Sequence, residues 1–181
     1  MARVSDVGID EVPEDVRPIY ERYTTEYGPF LNQVRVMAHR PPALKHLMGM
    51  LMELSYEAVL PKRYSEIAVV TVSTINRCDY CVAHHAPRAV EHGLPEAAVR
   101  DILAEAPEGL DAVDLMVRDY AVQVTTDFHR VRDATFEALR AQFTEPQIVE
   151  LTLRIALCGF FNRFNDVFQI EMEDDARAIP A

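Results

Sequence analysis

The sequence is short of the features that mark several large classes of protein. No stretch approaches twenty uninterrupted apolar residues, so no transmembrane helix is expected. The first residues, MARVSDVGIDEVPEDV, lack a basic segment followed by an apolar one, so no secretory signal is expected there. Basic residues are in deficit, with eighteen Lys and Arg against twenty-nine Asp and Glu and a formal charge of −11. That balance argues against binding nucleic acid through its phosphates and against an anionic membrane surface. Cysteine is scarce and odd in number, three in all, which does not suit a secreted disulfide scaffold. A reducing cytoplasm is the expected compartment, where a CxxC is more often catalytic or metal-binding than structural.

What the chain has is apolar substance at helical spacing. About half of its 181 residues are hydrophobic, enough for a sizeable core that removes roughly 70% of the unfolded surface from water. Residues 1–12 read as an acidic, extended arm without period. A single domain is expected over 13–181, with helices punctuated by Pro41-Pro42, Pro61, Gly93, Pro107 and Gly109. The methionines of LKHLMGMLMELSYEAVL read as adaptable core filler. The β-branched run IAVVTV has strand propensity, yet no Gly or Asn hairpin turn flanks it and its neighbours are helical, so it reads as a buried helix. Pro87, inside the next helix, predicts a kink. The resulting expectation is an all-α, multi-helix bundle.

Chemistry concentrates between Glu66 and His85, in the stretch EIAVVTVSTINRCDYCVAHH. With a break at Asn76-Arg77, Cys78 and Cys81 fall in the first turn of a helix. There they stand about 60° apart around the axis and about 4.5 Å along it, close enough to form a disulfide. Backbone N–H groups at that helix N-terminus stabilise a thiolate. His85 follows Cys81 by one turn, placed to exchange a proton with its thiol. On one unbroken helix Glu66 would lie about 18 Å from Cys78. With the break, two antiparallel helices return it to the neighbourhood of His85, so the order reads Glu66, His85, then Cys81, directly or through water. The same residues allow two other readings: half of a zinc site completed by Cys158 or a further histidine, or two idle cysteines above a structural Glu66. His84, about 100° from His85, reads as a surface or interface residue, and Cys158 as an inert buried thiol. Asn162, Arg163 and Asp166 read as capping or interface groups.

The spacing Glu-x11-Cys-x2-Cys-x3-His, followed by Gly93-Leu94-Pro95, closely resembles the carboxymuconolactone decarboxylase superfamily, in its alkyl hydroperoxidase D-like, peroxidase-related branch. The tail IALCGFFNRFND resembles the peroxidase-related subgroup as well, which extends the likeness over residues 15–170. The resemblance implies an all-helical fold with the CxxC at a helix N-terminus, peroxide reduction by a dithiol/disulfide cycle, and no cofactor or metal. It implies a homo-oligomer (a dimer, trimer or hexamer) and a thiol or dithiol reductant. It makes Cys81 the peroxide-attacking residue, Cys78 the resolving one, and His85 with Glu66 the proton relay. The sequence departs from the best-known members at Tyr80, where they carry a histidine, so one proton carrier is missing. Two alternatives accompany this expectation: a lyase of the decarboxylase type, and a non-catalytic redox-sensing oligomeric scaffold.

Overall fold

IAVVTV is helical, and it lies within a buried hydrophobic core. In the computed structural model, which describes residues 2–28 and 30–173, Lys62–Asn76 is one helix whose Ile67, Ala68, Val70 and Val72 are buried. Burying each large aliphatic side chain stabilises by roughly 1.5–3 kcal/mol. That outweighs the few tenths of a kcal/mol per residue by which β-branched residues disfavour a helix. Thr71 is fully buried within the run and donates its hydroxyl to Ile67 O at 2.7 Å, so no polar atom opposes the burial.

Among the described residues there are nine helices and no strand. They are α1 (17–27, its last turn π-helical), α2 (Leu31–Met37), α3 (41–56, with a π-helical turn at Leu44–Met48), α4 (Lys62–Asn76), α5 (Asp79–Glu91), α6 (Glu96–Arg100), α7 (Ala112–Thr126), α8 (Asp133–Arg140) and α9 (Glu145–Phe168). Residues 2–58 with 165–173 cluster into one compact unit, and residues 59–164 into another. The end of the expected 13–181 domain lies outside the described residues.

Several local expectations shift. Pro13 to Val16 form only a hydrogen-bonded turn, Val16 N to Pro13 O at 2.9 Å, and α1 begins at Arg17 with Pro18 in its first turn. Residues 3–12 are tied down in the first unit by Arg3 N to Phe168 O (2.9 Å), Val7 N to Arg35 O (3.2 Å), Tyr20 Oη to Val7 O (3.0 Å) and a turn at Ile9–Glu11. Helix α5 runs unbroken through Pro87. The buried Ala86 and Ala89 pack it into the core, and that contact holds a helix that an interior proline weakens by about 3 kcal/mol.

In the second unit α4 packs along both α5 and α7. Helix α5 ends as glycine at that position predicts: Gly93 takes φ +89°, Gly93 N bonds Val90 O and Leu94 N bonds Ala89 O. The start of α7 is closed by Asp111 and Asp114, each side chain accepting the other's backbone N–H.

Candidate active site

The turn that reverses the chain between α4 and α5 is built on one left-handed residue. Arg77 adopts φ 56°, ψ 41°, which costs a non-glycine residue about 1–2 kcal/mol. Arg77 N bonds Thr74 O at 3.2 Å and Cys78 N bonds Ser73 O at 3.0 Å, closing α4 and delivering Cys78 as the cap of α5. The Cys78 sulfur accepts the Cys81 N–H at 3.4 Å. The two cysteines are disulfide-bonded, with Cα atoms 5.3 Å apart, and both are buried. In the reduced form the same N-terminal amides stabilise a thiolate.

Behind the pair, α4 and α5 run antiparallel, and Glu66 Oε2 lies 2.8 Å from His85 Nδ1. Glu66 is 4% exposed and His85, on its side chain, 17%. Burial pushes the Glu66 carboxyl up, but the charge and hydrogen bond of His85, with Arg88 and His92, outweigh it and hold the group below its ordinary value. An ionised carboxylate only accepts, so Nδ1 carries a proton and donates it, and in the neutral imidazole the lone pair of His85 lies on Nε2. The imidazole is thus fixed in one tautomer one turn from Cys81. The depressed carboxyl has a consequence for folding. Its stabilising contribution is complete above the unfolded value of about 4.5 and is lost as pH falls through the lower folded value. Urea unfolding of wild type and Glu66→Gln from neutral pH to about pH 3 should therefore show a stability gap that closes toward acid. A gap constant with pH would remove the ionised pair.

Two features escaped the sequence reading. The first is Arg88, whose Nε is 3.6 Å from Glu66 Oε1, so that Glu66 faces two α5 side chains. The second is a polar seam on α9. Glu150, Arg154, Cys158 and Asn162 recur every four residues, and all four are buried. Glu150 Oε2 accepts the Val59 and Leu60 amides at 2.9 and 3.1 Å, and its Oε1 meets Arg154 Nη2 at 3.1 Å. Cys158 donates to Val69 O at 3.5 Å and meets Ser73 Oγ at 3.3 Å. Asn162 donates to Ser73 Oγ (3.2 Å) and accepts from Asn76 Nδ2 (2.8 Å). Helices α4 and α9 are therefore parallel, and Asn162 braces the turn that carries Cys78 rather than capping α9. Polar residues at i, i+4, i+8 and i+12 in an apolar helix are the signal that marks such a seam.

Burial pushes the Cys158 thiol up to about 11, against the hydrogen bonds of Ser73 and Asn162, so it stays protonated at neutral pH. His84 is buried, contrary to the surface or interface position expected of it. Its Nδ1 donates to Tyr80 O at 2.7 Å and its ring packs on Tyr80, centroids 4.3 Å apart. Among the described residues no three His, Cys, Asp or Glu side chains gather as a metal site. No helix among them is long and apolar enough to cross a membrane.

Residues 41–110 match the model of the carboxymuconolactone decarboxylase family. No curated protein matches the chain. Among solved structures, the chain is similar to the alkylhydroperoxidase AhpD core of an uncharacterized peroxidase-related protein from Ralstonia eutropha JMP134, at 25% identity and a TM-score of 0.80, covering 96% of this chain and 93% of that one. An uncharacterized peroxidase-related protein from Silicibacter sp. TM1040 shares the fold at 21% identity and a TM-score of 0.78, with 95% and 92% covered. So does the debrominase Bmp8, at 18% identity and 0.76, again with 95% and 92% covered. A variant of that protein is known in complex with 2,3,4-tribromopyrrole.

Proposed function

We propose that the protein is a thiol peroxidase working through Cys81 and Cys78, a reading supported by the match of residues 41–110 to the carboxymuconolactone decarboxylase family and by the fold shared with the peroxidase-related AhpD core. The observation that carries this reading is the conjunction of a bonded cysteine pair at a helix N-terminus with a histidine, one turn away, held by a buried carboxylate. The shared fold does not choose a chemistry by itself, since Bmp8 has it and is a debrominase.

The cycle balances as follows. The Cys81 thiol passes its proton to His85 Nε2, directly or through water, and Glu66 stabilises the imidazolium that forms. The thiolate attacks the near oxygen of ROOH; the O–O bond breaks, Cys81 becomes a sulfenic acid, and RO⁻ leaves as ROH with the His85 proton. The Cys78 thiol then condenses with the sulfenic acid, forming the disulfide and releasing water. A dithiol reductant supplies two electrons and two protons by exchange and is itself oxidised to a disulfide. The protein works in this reading as a homo-oligomer in a reducing cytoplasm, with a small peroxide and an external dithiol as its partners.

The test is anaerobic thiol counting before and after one equivalent of cumene hydroperoxide, with mass spectrometry locating the bridge. Two thiols should disappear into a Cys78–Cys81 disulfide at a rate well above that of a free thiol. Cys158 should remain reduced and react with alkylating agents only after unfolding. A pair that oxidises no faster than free thiol, or a bridge to Cys158, overturns the proposal.

A further inference from the structure

The turn that presents Cys78 is gripped at two points by one side chain. Ser73 and Asn76 bracket the last turn of α4, and Asn162 of α9 engages both. Its Nδ2 donates to Ser73 Oγ at 3.2 Å, and its Oδ1 accepts from Asn76 Nδ2 at 2.8 Å. The backbone carries the grip on to the cysteine, since Ser73 O accepts the Cys78 N–H at 3.0 Å. Cys158, one turn earlier on α9, completes the group, its sulfur 3.3 Å from Ser73 Oγ and 3.6 Å from Asn162 Nδ2. Ser73 is 0% exposed and Asn162 2%.

Buried polar partners add little to stability for its own sake. Replacing both by apolar groups of the same shape is nearly neutral, whereas a satisfied polar network fixes one arrangement of the chain. The arrangement fixed here is a strained one. Arg77, between Asn76 and Cys78, is a non-glycine residue at φ 56°. Such a residue persists only where its surroundings over-determine it. Asn162 holds the chain on one side of Arg77, and the Cys78–Cys81 bond holds it on the other. Reduction removes the second restraint and leaves the first.

We propose that Asn162 is a positioning residue for the cysteine pair: by clamping Ser73 and Asn76 it keeps the Cys78 thiol beside Cys81 after reduction, and so favours closure of the disulfide. This rests on the dithiol/disulfide cycle proposed above, but not on peroxide as its oxidant. In the closed state the covalent bond keeps the two sulfurs together. In the open state the turn must do so. Releasing the turn therefore frees the dithiol more than the disulfide and lowers the effective concentration of one thiol at the other.

The test equilibrates the full chain with glutathione and glutathione disulfide and counts free thiols by alkylation and mass spectrometry. In this exchange the pair gives two electrons and two protons to glutathione disulfide, which leaves as two molecules of glutathione. Asn162→Ala should lower the equilibrium constant for closing the Cys78–Cys81 bond about tenfold, which raises the potential of the pair by about 30 mV. Asn76→Ala, at a half-buried position, should shift the constant the same way, and the double variant no further than Asn162→Ala alone. Tyr120→Phe supplies the contrast. It removes a different α9 contact, the 2.8 Å bond between Tyr120 Oη and Thr152 Oγ, and should lower stability to urea while leaving the constant where it was. A constant unmoved in Asn162→Ala and Asn76→Ala, or moved equally by Tyr120→Phe, overturns the positioning role. If Asn162→Ala does not fold, Asn76→Ala decides in the same way. A pair that shifts as expected with glutathione but is not oxidised by cumene hydroperoxide keeps the positioning role and removes the peroxidase reading alone. A wild-type pair that does not exchange with glutathione at all overturns both.

Discussion

Cys81→Ser should reduce peroxide turnover to the rate of the uncatalysed reaction between peroxide and reductant, while Cys78→Ser should permit one oxidation per site and no more. The asymmetry follows from the proposed roles. A serine hydroxyl has no thiolate to attack the O–O bond, so nothing replaces Cys81. Without Cys78 the attack still occurs, but the sulfenic acid has no neighbour to condense with and accumulates. Neither change should unfold the chain. Serine is a favourable helix cap at position 78, and at position 81 it is nearly isosteric with cysteine. Steady-state turnover, single-turnover stoichiometry and trapping of the sulfenic acid with dimedone distinguish the two variants. Full turnover in Cys81→Ser, or repeated cycling in Cys78→Ser without external thiol, would reverse or remove the assignment.

Asp114→Ala should destabilise the second unit by about 3 kcal/mol. Asp114 is 0% exposed and takes two hydrogen bonds from Arg63, at 2.8 and 2.6 Å, as well as the Asp111 N–H at 3.1 Å. Arg63 in turn donates to Gly93 O at 2.7 Å, so one guanidinium ties the start of α4 to the end of α5 and the start of α7. Removing the carboxylate leaves a guanidinium and an amide facing a cavity. The cost falls at the low end for a buried pair because the Arg63 side chain, 27% exposed, can recover some water. The exposed pair Arg100–Asp101 supplies the contrast: Asp101→Ala should cost under about 1 kcal/mol. Urea midpoints at constant slope measure both. Equal losses at the two positions would deny Arg63–Asp114 its role as the clamp of this unit.

Much of the candidate site is legible in the sequence. Cysteines three apart and a histidine one turn further need only helical periodicity to share a face. A turn at Asn76-Arg77 is enough to return Glu66 toward His85. The reading went astray where a residue's setting depends on distant parts of the chain. His84 looks exposed by its angle from His85, yet it is buried with Tyr80. Asn162 looks like a terminal cap, yet it braces a turn 86 residues away in sequence.

The sequence by itself determined the helical class, the cysteine pair at a helix start and the spacing that joins Glu66 to His85, because those are consequences of local geometry and a single reversal. Only the tertiary structure decided which charges join His85 around that carboxylate: Arg88 and His92 come to it where α5 packs back along α4. A charge is worth little in water and much in a buried cluster, and burial is a property of the whole fold.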